Sequence, residues 1–227
     1  MFQELLTFPK LSDFDHYQIT FSAFTETVWS VNPLLWVEFI LQRIKHSIKY
    51  SEQEKEFDSL PFSFRLKLSD VENLDVSTEK EIYTRILHFL LEERNGIVKT
   101  CVFLSKLTDR SINDLLKSIL VELIRKSSVE ENLVVVAMLE YFYEDQRYFD
   151  VVRVILSATK NNKEIENRLL YSIINEPMSI IGSKKLRYVR LEKHLRNLEN
   201  EDNLRTRVFA KGLIAKLQTY INEMSED

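Results

Sequence analysis

From Ser77 onward, apolar side chains recur every three or four positions with polar residues between them, the signature of helices that bury one face. Thr78 with Glu81 fits a capping box, in which each side chain satisfies an amide at the helix start. Ile82, Ile86, Phe89 and Leu90 carry the apolar face that follows. Gly96 ends that helix, and a short one is expected from about Ile97 to Leu107. Ser111 with Asp114 reads as the next cap, leading Ile112, Leu115, Leu116, Ile119, Leu120, Leu123 and Ile124. Ser128 with Glu131 repeats the capping box before an apolar run from Leu133 to Phe142. Gln146 opens a helix through Phe149, Val152, Ile155 and Leu156, and Ile165, Leu169, Leu170 and Ile173 mark another that ends before Pro177.

Upstream, Asn32 caps and Pro33 starts a helix whose apolar face is Trp36, Val37, Ile40, Leu41, Ile44 and Ile48, because proline suits a first turn and asparagine an N-cap. Residues 51–57 form a charged connection, and 58–76 hold a turn around Pro61 and a polar loop. Residues 1–32 show no clean period. Phe2, Phe8, Phe14, Tyr17, Phe21, Phe24 and Trp29 predict an aromatic-rich cap of one or two short helices. Residues 33–227 then read as one helical-repeat domain, the whole chain being a single structural unit.

Helix starts near 111, 129, 147 and 164 give about 35 residues per helix pair, within the range of helix-pair solenoids. The expected fold is all-α with nine to eleven helices: stacked antiparallel pairs in a HEAT-like α-solenoid, or an irregular multi-helix bundle. Three glycines and four prolines among 227 residues support it, since all-β and nucleotide-binding α/β folds need many tight turns. Val134, Val135, Val136, Met138, Leu139, Tyr141 and Phe142 cover more than one helix face, so that helix should lie between neighbours. Leu139 and Ile155 are expected on facing helices.

A single cysteine, Cys101, has apolar neighbours and reads as a buried, inert thiol in a reducing compartment. No basic n-region and apolar core begin the chain, and its longest apolar run is far shorter than the roughly 20 residues that span a bilayer. A cytoplasmic location without membrane association is the expectation. The chain carries a net charge of −4, which offers no global attraction to nucleic acid.

Candidate chemistry is sparse. The scattered Gly96, Gly182 and Gly212 form no phosphate-cradling loop. His16, His46, His88 and His194 have no second histidine or cysteine at ligand spacing, so no metal or cofactor is expected. Glu92-Glu93, Glu130-Glu131 and Glu201-Asp202 sit at helix ends or loops, where solvation accounts for them. These residues predict a protein that is not an enzyme, although a deep polar cleft with perturbed carboxylates would reopen that reading.

One segment stands apart. Lys184, Lys185, Arg187, Arg190, Lys193 and Arg196 face a single acid, Glu192, while Tyr188, Leu191, Leu195 and Leu198 line one helical stripe. Lys185, Arg187, Arg190, Lys193, His194 and Arg196 should fall on the opposite face. They form either a solvated surface or a binding surface for an acidic patch on a protein. Nucleic acid is disfavoured, because Tyr188 is nearly alone as a residue able to stack on bases.

The order of features resembles the C-terminal helical-repeat region of large bacterial signal-transduction NTPases of the STAND class, some of which act in antiphage defence. The residues that carry the likeness are Pro33-Leu34-Leu35-Trp36-Val37 with Arg43-Ile44, Phe57-Asp58-Ser59-Leu60-Pro61, and Val208-Phe209-Ala210-Lys211-Gly212-Leu213-Ile214, across roughly residues 33–225. The resemblance implies a ligand-sensing or scaffolding array without catalytic residues, a segment of a larger machine. A small antitoxin or immunity-type antagonist is the alternative from a different class.

Overall fold

A computed structural model describes residues 2–7, 15–53, 55, 57–60, 66–159, 162–174 and 184–223. The expected turn at Pro61, the stop at Pro177 and the aromatics Phe8 and Phe14 lie outside them. The fold is all-α: α1 (Phe2–Thr7), α2 (Asp15–Val31), α3 (Pro33–Ser51), α4 (Val76–Glu92), α5 (Ile97–Leu107), α6 (Asp114–Lys126), α7 (Val129–Leu139), α8 (Gln146–Ala158), α9 (Lys163–Ile174), α10 (Lys184–Glu199) and α11 (Leu204–Glu223). Among the described residues there is no strand, and no helix is long and apolar enough to cross a membrane. The chain divides into two compact units, Met1–Arg110 and Ser111–Asp227.

In the first unit α3 is the central element, packed by α1, α2, α4 and α5. The Asn32 side chain accepts from the Leu35 amide and Pro33 opens the helix, as its sequence predicts. Trp36 is fully buried, 4.9 Å from Trp29 and 5.6 Å from Phe103 between ring centroids. The stretch before Asn32 is more regular than its lack of period suggests, since α2 runs 17 residues and lies against α3. Gly96 sits where a short 3-10 turn crosses α3. A Cβ there would stand 2.9 Å from Ile48 Cδ1, so the missing side chain permits the close approach.

Arg43 is buried on α3 and spends its guanidinium on backbone. It donates to the carbonyls of Leu5, Leu6 (3.3 Å), Asp58 and Ser59 (3.4 Å), and lies 4.7 Å from the centroid of the Phe57 ring. Desolvation pulls its pKa down to about 10, opposed by the Asp58 carboxylate. It remains charged at neutral pH.

In the second unit the helices pack alternately: α6 on α8 and α7 on α9, with α10 and α11 side by side and both touching α8. Ser128 and Glu131 form the predicted capping box, the serine amide donating to Glu131 Oε2 at 2.6 Å. Two other caps differ from expectation. Asp75 caps α4 by accepting from the Thr78 amide, and Asn113 caps α6 by accepting from Leu116. In each case a carboxylate or amide oxygen lay close to the proposed hydroxyl and accepts the amide in its place.

Val134, Val135, Val136, Met138, Leu139 and Phe142 are all buried, as an apolar circumference requires. Leu139 and Ile155 are both buried, but the main neighbour of α7 is α9 and that of α8 is α6. Leu139→Ala should lower stability by about 2–5 kcal/mol through lost contacts and a residual cavity. Chemical denaturation measures this, and a loss under about 1 kcal/mol would contradict the burial of α7.

Candidate partner interface

The surface begins with α10. Tyr188, Leu191, Leu195 and Leu198 are buried, as their spacing predicts, and hold the helix against α8 and α11. Lys185, Arg190, Lys193 and Arg196 are exposed. Arg196 is engaged by its own helix, paired with Glu192 one turn back and Glu199 at 3.7 Å. Arg190 and Lys193 make no ion pair among the described residues. Exposed Leu186 and Val189 lie between these cations, an apolar component the charge pattern had hidden.

Two residues expected on the outward face are not there. Arg187 is only 2% exposed. Its Nε donates to Glu144 at 3.2 Å and its Nη2 to the same carboxylate, while Nη1 reaches Ile174 O at 3.1 Å and Nη2 reaches Ile173 O at 2.7 Å. Those carbonyls end α9 and have no intrahelical donor. The signal lay in the spacing: Arg187 precedes Leu191 by one turn, at the margin of the apolar stripe. His194, between Leu191 and Leu195, is half-buried and stacks on Phe149 at 5.4 Å.

Beside α10, the α9–α11 pair leaves a groove of about 700 Å³. Leu170, Phe209 and Leu213 form its floor, and Leu204 and Val208 stand 65% and 62% exposed along its edge. Arg205 fixes one end, donating to Glu166 Oε1 at 2.6 Å, Leu156 O at 2.7 Å and Asn162 O at 3.4 Å. Because Arg205 lies in the first turn of α11 and Glu166 in the first turn of α9, their pair brings the two helix starts together. Their N-caps are alike: Asn162 Oδ1 accepts from the Glu164 and Ile165 amides, and Asn203 Oδ1 from Arg205 and Thr206.

Gly212 also lines this groove, and no atom lies within 4 Å of where its Cβ would be. A helix-interior glycine costs about 1 kcal/mol against alanine, and here no tight contact requires it. Leu204, Val208, Gly212 and Lys216 recur at four-residue spacing, a periodicity that marks this wall in the sequence.

Several acidic groups are committed within the fold. Glu93 pairs with Lys45 at 2.6 Å, Glu201 with Arg153 at 3.0 Å, and Glu131 serves its cap. Burial raises the Glu140 carboxyl above its usual value, opposed by Arg168 at 2.8 Å, and also raises the Tyr148 phenol, with Glu144 adding to the shift. Cys101 is buried. Among the described residues no three His, Cys, Asp or Glu side chains gather as a metal site.

Arg187→Ala should destabilise the protein by about 3–5 kcal/mol, because it strands the Glu144 carboxylate, whose side chain is only 9% exposed. Arg190→Ala, three residues away, should stay within about 0.5 kcal/mol. Urea titration of the two variants separates the structural cation from the surface one. Gly212→Ala should gain about 0.5–1 kcal/mol in the same assay, and a loss would mean that the groove wall is closed. No family model, curated protein or solved structure matches the chain.

Proposed function

We propose that the chain is a non-catalytic protein-binding module, a sensor or scaffold segment of stacked helix pairs whose docking surface lies on α10 and α11. The observation that carries this reading is the segregation of charge. Residues 184–223 hold ten Lys and Arg against five Asp and Glu, a local +5 that falls to +3 once Arg187 and Arg205 are paired with Glu144 and Glu166 outside the segment, within a chain of net −4. Like charges gathered on one helix pair repel, a liability of a few tenths of a kcal/mol per close pair. A field of one sign steers a partner of the other and fixes its register.

The exposed Leu186 and Val189 support a protein partner with an acidic patch, since such contacts add desolvation that a phosphate backbone would not offer. Alternate packing of α6 with α8 and α7 with α9 supports the helix-pair organisation, and stacks of this kind bind partners along their helical surfaces. The likeness of residues 33–225 to STAND-class repeat regions points the same way.

The test reverses Lys185, Arg190 and Lys193 to glutamate and leaves Arg187 in place. Wild type and variant are compared as baits in native extract, with quantitative mass spectrometry. Proteins retained by wild type, lost from the variant and released by added salt are expected, with circular dichroism unchanged. Identical sets from both baits would sink the reading. Duplex DNA should show no binding with the steep salt dependence of about −0.9 per phosphate in log–log slope.

A further inference from the structure

We infer that α10 and α11 form a hairpin that opens from α8 and α9 as one piece, latched shut by arginines, while the helices beneath stay folded. This goes beyond the binding reading and holds whichever partner the exposed cations take.

Packing sets the boundary. Residues 200–203 turn α10 back into α11, and the two helices pack chiefly on each other, touching α8 and α9 far less. Within the hairpin, Tyr188 and Tyr220 lie 6.0 Å apart between ring centroids, and Gln218 Nε2 donates to Glu192 Oε1 at 3.1 Å. By contrast α8 has α6 as its main neighbour and α9 has α7. A hairpin that leaves therefore takes most of its contacts with it, and α6 to α9 keep most of theirs.

Much of what crosses the boundary is polar. Arg187 pairs with Glu144, Arg205 with Glu166 at 2.6 Å, and Arg153 with Glu201 at 3.0 Å. Asn203 Nδ2 donates to Ser157 Oγ at 3.4 Å, and His194 stacks on Phe149. Phe149, Arg153 and Ser157 recur one turn apart, so one face of α8 receives the hairpin. Elsewhere on α8, Arg147 and Asp150 reach Asp114 and Lys117 of α6.

Such ties are replaceable by water. Arg187 and Glu144 are 2% and 9% exposed, so their attraction is set against the desolvation of both charges. On opening, both charges meet water, and so do the Ile173, Ile174 and Leu156 carbonyls that the arginines complete. Water restores those hydrogen bonds, whereas separated apolar surfaces find no such substitute. The boundary thus parts at a lower cost than the α6–α8 and α7–α9 contacts, as a local opening does. Removing one partner of a latch tilts this equilibrium, because the survivor is stranded when closed and hydrated when open.

Native-state hydrogen exchange with mass spectrometry, on the full chain in urea below the unfolding transition, reads the opening. Peptides from α10 and α11 should lose protection together, with one urea dependence, before peptides from α6, α7 and α8. Glu144→Gln leaves Arg187 buried without its counter-charge. It should speed exchange in both hairpin helices by about tenfold or more, with α6 and α7 unchanged. Arg190→Ala, on the exposed face of α10, should alter neither helix.

Equal protection of α6 to α8 and the hairpin overturns the inference. Loss of α10 without α11 does so too, as does an equal acceleration of α6 and α7 by Glu144→Gln. If Glu144→Gln fails to fold, Arg153→Gln replaces it, with about a twofold or greater increase expected in both hairpin helices. No increase there counts against the latch, and the comparison of helices in the wild-type chain decides the opening in either case.

Discussion

A helix that stops inside a protein leaves its last carbonyls without donors, and the packing of both units depends on how that shortage is met. Arginine meets it three times. Arg43 reaches the end of α1, Arg187 the end of α9, and Arg205 the end of α8 together with the link into α9. Each donor group comes from a helix later in the chain than the one it completes. An orphaned buried carbonyl costs about 1–3 kcal/mol, so each latch joins two helices more firmly than their apolar contact alone. Lysine would not substitute, because one ammonium cannot present a planar fork to several acceptors.

That role explains which parts of the fold were legible from sequence. Helices announced themselves through apolar periodicity, and Pro33, Ser128 and Gly96 marked boundaries because cap and turn chemistry is local. Arg187 was misplaced for the opposite reason. Its partners, Glu144 and the Ile173 and Ile174 carbonyls, come from elements 13 to 43 residues away, and charge alone sends an arginine outward in any sequence-based reading. Asp75 and Asn113 were missed more narrowly, by choosing among several oxygens within one turn. The α9–α11 groove was legible on one side only: Leu204, Val208, Gly212 and Lys216 recur every four residues along α11, but nothing in the sequence of α9 says that the two helices leave space between them.

The cations of α10 therefore divide by geometry into different kinds. Arg187 organises the interior, Arg196 is neutralised by Glu192 and Glu199, and Arg190 and Lys193 remain for solvent or a partner. A count of basic residues overstates such a surface, whereas exposure and existing ion pairs reduce it to the residues able to act. The same reduction keeps Lys216 and sets Arg205 aside.

The aromatic packing of α2 on α3 has an optical consequence. Trp29 and Trp36, the chain's two tryptophans, both lie in the first unit, with their rings in edge contact and buried. Residues 111–227 contain none. Intrinsic tryptophan emission thus reports solvent entry around α3 and is blind to the environment of α6 to α11. A melt followed by fluorescence watches the first unit alone, one followed by far-ultraviolet dichroism watches the helices of both, and their midpoints coincide only where the two units lose structure together.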